Sequence, residues 1–131
     1  MGQSTDAILW WGYNDLSGQE SGVPEYVVEH LQTHPIDHPK FDRGREEDLG
    51  NVLYYVLKDF GVELVYHCSG ECTMYGLAVT ASSVRASRGD PKQVSTPEPT
   101  EEWRATLKRA AGLLGWPTTQ EPTWWLASYW G

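Results

Sequence analysis

The apolar positions of this chain form short aromatic runs near its two ends and helical spacings between them. Residues 7–13 are apolar, include two adjacent tryptophans and are followed by polar residues, as is typical of a buried strand. Residues 123–130 have the same character and also contain two adjacent tryptophans. A tryptophan-rich strand is therefore predicted near each end.

Helices are predicted in the intervening sequence, where apolar residues recur every three or four positions. Residues 46–60 show the strongest such pattern. They open with three acids, which favour the positive end of a helix dipole, and Gly61 follows as a left-handed cap. Residues 100–114 repeat this arrangement, and Pro24 opens a shorter helix that ends near Leu31.

Two further strands, over residues 62–67 and 74–84, are predicted to form a hairpin. The resulting order is strand, helix, strand, strand, helix, strand, with the short helix inserted early. This order predicts an α+β fold, a ferredoxin-like (βαββαβ) antiparallel sheet with helices on one face, in a single domain over residues 1–131. Another α+β sandwich with a different strand order is the alternative.

Charge is distributed unevenly along the chain. The net charge is −8, and the whole excess lies in residues 1–66, which carry twelve acids and four bases, whereas residues 67–131 carry six of each. Such a protein repels nucleic acid and is attracted to basic protein surfaces, although solubility alone also explains the charge. No apolar run approaches the roughly 18 residues of a membrane helix, and residues 1–6 lack the basic start and long apolar stretch of a signal peptide. A soluble cytoplasmic protein without membrane contact is therefore expected.

Three histidines, His30, His34 and His38, recur every four residues, a spacing that places metal ligands on one face of a helix. Pro35 interrupts that helix, so the spacing loses its geometric meaning. Cys68 would join the histidines only if the fold brought it close. We therefore predict no metal and no cofactor, and a metal-dependent enzyme using these four residues is an alternative.

The two cysteines, Cys68 and Cys72, flank a three-residue turn. Small thiols packed at a turn are the first interpretation, and a disulfide formed across the turn on oxidation is the second. A nucleophilic Cys68 with His67 as its base is disfavoured, because neighbours along a strand point to opposite faces. The chain is accordingly expected not to be an enzyme.

The adjacent tryptophans pose a packing problem. Since successive strand residues point to opposite faces, Trp10 and Trp11 cannot enter the same core, and neither can Trp124 and Trp125. One member of each pair is expected to face the helices and the other to lie on the open face of the sheet, where an uncovered tryptophan is unfavourable. The expected cover is the proline-rich segment 32–45, a second subunit or a partner protein.

Four segments resemble small, uncharacterised proteins of bacteriophages and prophages: AILWWGY (7–13), VELVYHCSGE (62–71), LAVTASSVRASRGDP (77–91) and WWLASYWG (124–131). These are strand and turn patterns, and no catalytic or binding residue is carried over with them. The resemblance implies a small accessory phage protein acting inside a bacterial host cell. Such proteins often bind and block host components, including defence systems.

Charge, aromatic strands and resemblance together favour a non-enzymatic protein that binds and inhibits a host protein, such as an anti-CRISPR or other anti-defence protein. The predicted contact residues are acids that would face a basic nucleic-acid-binding surface and tryptophans that would anchor it: Asp37, Asp42, Glu46, Glu47, Asp48, Trp11 and Trp125. A self-associating structural or morphogenetic phage protein, as a homodimer for example, is the alternative from another class.

Overall fold

The computed structural model of the protein describes residues 5–19, 23–41, 49–69 and 73–130. Its elements, in chain order, are β1 (Thr5–Gln19), α1 (Glu25–Thr33), α2 (Leu49–Asp59), β2 (Val62–Ser69), β3 (Thr73–Val79), β4 (Val84–Ala86), α3 (Glu101–Leu114) and β5 (Thr123–Trp130). A short 3-10 helix, Thr80–Ser82, separates β3 from β4. The predicted α+β class is confirmed.

The two longer helices end where the sequence predicts. Gly61, two residues after the end of α2, has a φ of 78°, and Gly115, directly after α3, has a φ of 68°. Glycine adopts this left-handed conformation without a steric penalty, so each helix stops there. Thr100 caps the start of α3, because its Oγ1 accepts a hydrogen bond from the backbone N–H of Trp103 at 3.0 Å.

Four antiparallel pairings form the body of the sheet. One edge of β1 pairs with β5, from Thr5↔Trp130 to Gly12↔Thr123. The other edge carries β4 over residues 7–9 and β3 from Gly12 onwards, and β3 pairs in turn with β2. These neighbours are the ones that a split β-α-β arrangement predicts. The helices contribute to a single core on one face.

The ferredoxin-like topology is nevertheless not confirmed, because the two outer strands of this arrangement also meet. Cys68 and Ser69 of β2 pair in parallel with Tyr129 and Trp130 of β5, which closes the pairings into a circuit. Strand β5 is antiparallel to β1, whereas β2 is antiparallel to β3, which is itself antiparallel to β1. Along the sheet, β2 and β5 therefore run in opposite directions. Their ends can therefore meet in parallel only if β1 bends between its two halves. Strand β4 is a second departure from the predicted order.

Gly12 lies at the point where β1 passes from one set of partners to the next. A Cβ atom here would overlap the carbonyl oxygen of Leu77 on β3, so only glycine permits the two backbones to approach this closely. A Cβ at Gly76, also on β3, would lie 2.6 Å from the Trp10 ring. The close packing of the bend thus depends on glycines in both strands.

A buried serine replaces the ladder hydrogen bond that is lost between β3 and β4. Ser82 is 4% exposed, and its Oγ accepts a hydrogen bond from the backbone N–H of Trp11 at 2.9 Å. The same hydroxyl donates to the carbonyl oxygen of Val79 at 2.7 Å. The predicted continuous strand over residues 74–84 is therefore wrong, because the chain leaves the ladder at residues 80–82 and returns to it in β4.

The curled sheet has a hydrophobic core on each face. The larger core lies between the sheet and the helices and includes Trp11, Leu53, Tyr75 and Leu107. The smaller one lies on the opposite face, the inner face, and consists of Ile8, Trp10, Val65 and Ala78, with Trp125 packed against it. Among the described residues, the inner core draws on β1, β2, β3 and β5 and on none of the helices.

Strand alternation distributes the tryptophans as predicted. Trp11 and Trp124 face the helices, whereas Trp10 and Trp125 lie on the inner face. Trp10 is nevertheless 0% exposed. Its cover is the curled sheet itself. Trp10 therefore needs none of the covers predicted for it, which were segment 32–45, a second subunit or a partner protein. Trp125 is partly buried, and its cover by one of these stays a prediction.

Candidate binding surfaces

The two tryptophans predicted to anchor a partner are not exposed. Trp11 is 2% exposed within the larger core, so it offers no surface to a partner. Trp125 is partly buried, stacks on Trp10 with ring centroids 6.5 Å apart, and donates its indole N–H to the carbonyl oxygen of Gly12 at 3.0 Å. The burial of Trp11 is incompatible with the anchor role predicted for it, whereas Trp125 is only partly buried and its anchor role stays a prediction.

The predicted acidic contacts fall mainly on residues that the structure does not describe. Asp37 is exposed in the segment between α1 and α2. The other four, Asp42, Glu46, Glu47 and Asp48, lie outside the described residues. In the sequence they directly precede α2, together with Arg43 and Arg45. Their role as partner contacts stays a prediction.

The buried polar groups of Trp10 and His67 on the inner face each have a hydrogen-bond partner in β1. Trp10 donates its indole N–H to the carbonyl oxygen of Tyr13 at 3.1 Å, and His67 Nε2 lies 2.7 Å from Asn14 Oδ1. Burial lowers the pKa of His67 from its ordinary value of 6.5, so the ring is neutral at neutral pH. A neutral ring that donates to an amide oxygen is a satisfied core histidine, which explains its place beside Trp10.

The candidate metal ligands do not converge. His30 and His34 stack on each other with ring centroids 4.5 Å apart, whereas His38 Nε2 bonds Asp59 Oδ2 at 2.8 Å. Cys68 lies on β2. Among the residues that the structure describes, no group of three or more histidine, cysteine, aspartate or glutamate side chains is placed to hold a metal ion.

Cys68 has a backbone conformation that is rare for a residue other than glycine. Its φ is 76°, and it lies where β2 meets Tyr129 of β5. It is a free cysteine, and Cys72, with which a disulfide was considered, lies outside the described residues. The structure thus assigns Cys68 a place in the junction that closes the sheet.

The solvent side of α2 carries two adjacent tyrosines. Tyr54 and Tyr55 are 58% and 52% exposed, and their rings meet edge to face with centroids 5.1 Å apart. The ammonium group of Lys40 lies 5.7 Å from the Tyr55 ring centroid, within the range of a cation–π contact. Because Leu53 and Leu57 fill the core from the opposite side of α2, these tyrosines do not contribute to it. Tyr54, Tyr55 and Lys40 are termed the tyrosine surface.

A cleft of about 400 Å³ opens where β1, β2, β4 and β5 come together. Its lining consists of Asp6, Ala7, Ile8, Tyr66, Arg85, Ala86, Ser87 and Tyr129. Asp6 pairs across the strands with Tyr129, and Ile8 with Arg85, so each pair shares a face. This strand cleft combines aromatic walls with a carboxylate and a guanidinium group.

Sequence reasoning missed both surfaces, for different reasons. The tyrosine surface was within reach, because the helical spacing that buries Leu53 and Leu57 leaves Tyr54 and Tyr55 on the polar side. The strand cleft was not, because it forms only where the ends of β2 and β5 close the sheet. No local pattern of residues predicts that parallel contact.

No protein family model matches the chain, and no curated protein or solved structure shows significant similarity to it. In the part of the chain that the structure describes, no helix is both long and apolar enough to cross a bilayer. The chemistry of the tyrosine surface and of the strand cleft is therefore the basis for assigning a function.

Proposed function

We propose that the protein is a non-enzymatic binding protein that docks on a basic protein partner through the tyrosine surface of α2. The observation that carries this proposal is the pair Tyr54 and Tyr55, each more than half exposed on a helix whose opposite side is fully buried. Tyrosine is enriched at protein interfaces and dominates their energetic hot spots, because its ring is large and rigid and its hydroxyl is polar.

The charge of the chain supports a basic partner. The excess of negative charge lies in residues 1–66, and four acids stand directly before α2 in the sequence. Opposite charges steer partners together and set their orientation, while the contact itself is made by aromatic side chains. A basic side chain of the partner would also compete with Lys40 for the face of the Tyr55 ring.

In this proposal the partner is a nucleic-acid-binding protein of a bacterial host, and binding blocks its basic surface. The resemblance to phage accessory proteins supports the setting, the host cytoplasm, and an anti-CRISPR or other anti-defence role. The protein itself contacts neither nucleic acid nor membrane and uses no cofactor. Self-association through the open sheet face has less support, since the sheet covers the tryptophans that motivated it.

The proposal is tested by affinity purification from a bacterial host with three forms of the protein. They are the wild type, the double variant Tyr54→Gln/Tyr55→Gln and the control Val94→Gln, which alters a residue that is 54% exposed in the segment before α3. The wild type and the control should retain the same basic protein, and the double variant should lose it. Equal recovery with all three forms, or recovery of the bait alone, contradicts the proposal.

The acidic contribution is tested separately by Glu46→Lys, Glu47→Lys and Asp48→Lys combined. Reversing three charges should abolish capture of a basic partner, and the effect should be strongest in low salt, where screening is weakest. Undiminished binding in low salt would show that the acidic segment is not part of the interface. The tyrosine surface alone would then support the proposal.

A further inference from the structure

The charged side chains that line the strand cleft are Asp6 and Arg85. Arg85 is neutralised by Glu63, whose two carboxylate oxygens lie 3.3 and 3.5 Å from its guanidinium nitrogens. Glu63 is fixed in place, since Ser83 donates a hydrogen bond to it at 2.7 Å and its side chain is only 17% exposed. Asp6 lines the same cleft and, among the described residues, takes part in no ion pair. One carboxylate charge is therefore left without a partner.

Two tyrosines add aromatic walls to this carboxylate. Tyr129 lines the cleft opposite Asp6 on the neighbouring strand, and Tyr66 is 40% exposed at its rim. The Tyr66 ring is supported by an edge-to-face contact with Tyr75, with centroids 5.4 Å apart. Burial raises the pKa of Tyr66, so its hydroxyl stays protonated and its ring neutral. Neutral aromatic faces beside a carboxylate attract organic cations.

We infer that the strand cleft binds the guanidinium group of an arginine side chain presented by a basic protein partner. The inference rests on the proposed function for the basic character of that partner. A guanidinium is planar, stacks on aromatic faces and pairs with a carboxylate through two parallel hydrogen bonds. In the strand cleft, Asp6 supplies the carboxylate, and Tyr66 and Tyr129 supply the aromatic rings. The volume of about 400 Å³ is within the range of about 300–1,000 Å³ found for ligand sites.

The test is a titration of the ¹⁵N-labelled protein with N-acetyl-arginine amide, followed by NMR. Saturable shifts are expected at the amides of Asp6, Tyr66 and Tyr129. The corresponding citrulline compound, which has the same shape but no charge, should bind at least about fivefold more weakly. Asp6→Asn should weaken arginine binding by a similar factor, and the control Glu98→Gln, in an exposed segment, should leave it unchanged.

Three outcomes would overturn the inference. They are the absence of saturable shifts in the cleft, equal binding of the citrulline compound, and tighter binding of N-acetyl-aspartate amide, which would make Arg85 the recognition group. Tyr129→Leu gives a second, uncharged perturbation should Asp6→Asn lose its dispersed spectrum. Because the probe is a small molecule, failure here leaves the α2 interface standing. Conversely, equal partner capture by wild type and Tyr54→Gln/Tyr55→Gln, with persistent arginine binding, would contradict the α2 interface alone.

Discussion

Replacement of Ser82 by alanine removes the buried hydroxyl that joins β1 to the break between β3 and β4. Two hydrogen bonds disappear, one accepted from the N–H of Trp11 at 2.9 Å and one donated to the carbonyl oxygen of Val79 at 2.7 Å. Trp11 and Val79 are 2% and 3% exposed, so water does not readily replace the lost partner. Leaving a buried donor unsatisfied costs about 1–3 kcal/mol, and we expect Ser82→Ala to lower the free energy of unfolding by about 2 kcal/mol.

The neighbouring serine provides a matched control. Ser83 also donates a hydrogen bond, to Glu63 at 2.7 Å with the carbonyl oxygen of Thr80 at 3.1 Å as the alternative acceptor, but in a partly exposed position. Its replacement by alanine should lower the free energy of unfolding by less than about 1 kcal/mol, because water can substitute for the hydroxyl. Urea unfolding followed by tryptophan fluorescence measures the free energy of unfolding of both variants. In thermal unfolding, Ser82→Ala should lower the Tm by about 8 °C.

A loss for Ser82→Ala no larger than that for Ser83→Ala would refute this reasoning. It would mean that the N–H of Trp11 has another partner in solution, so that the break between β3 and β4 is not held by Ser82. A changed urea dependence of the unfolding free energy would instead indicate an altered unfolded state, which the comparison of the two slopes detects.

Three further predictions concern the bend and the inner face. Gly12→Ala places a methyl group against the Leu77 carbonyl oxygen and should lower the free energy of unfolding by about 3 kcal/mol; calorimetry showing a wild-type Tm would contradict the close approach of β1 and β3. Trp125→Phe removes the bond to Gly12 and should lower the free energy of unfolding by about 1–2 kcal/mol, more than Trp124→Phe, whose indole N–H reaches Pro97 at an exposed site; equal losses in urea would count against it. The pKa of His67 is lowered in the folded protein from its ordinary value of 6.5. As the pH falls through that value, the unfolded chain therefore binds more protons than the folded protein does. Stability should therefore fall as the pH drops from about 7.5 to about 5.5, and His67→Gln should flatten this slope while exposed His34→Gln preserves it.

Local patterns predicted the helices well, since their signals are carried by neighbouring residues. Thr100 and Gly115 bound α3 as expected, and Gly61 follows α2 in the left-handed conformation. The first strand was predicted too short, because β1 continues to Gln19 through polar residues that carry no apolar alternation. There the partner strand β3 supplies hydrogen bonds that hold an extended chain whatever its polarity.

The burial of Trp10 and the strand cleft required information that no short segment contains. Strand alternation correctly placed Trp10 and Trp11 on opposite faces of the sheet. The burial of Trp10, however, depends on strands that are distant in sequence and come together to cover the inner face. The same closure creates the strand cleft from Asp6, Tyr66 and Tyr129. By contrast, the exposure of Tyr54 follows from the helical spacing of α2 alone. The tryptophan content of the chain instead suggested tryptophans as partner contacts, but in the structure they pack in or against the two cores.

The most direct test of the proposed function is the affinity of the purified partner for wild type and for Tyr54→Gln/Tyr55→Gln, measured by calorimetry at low and at physiological salt. Truncation of hot-spot tyrosines should weaken binding at least about tenfold at both salt concentrations, while circular dichroism shows an unchanged fold. Wild-type binding should itself weaken as salt rises, because charge attracts the basic partner. Equal affinities of the two forms would contradict the claim that the tyrosine surface of α2 is the binding site.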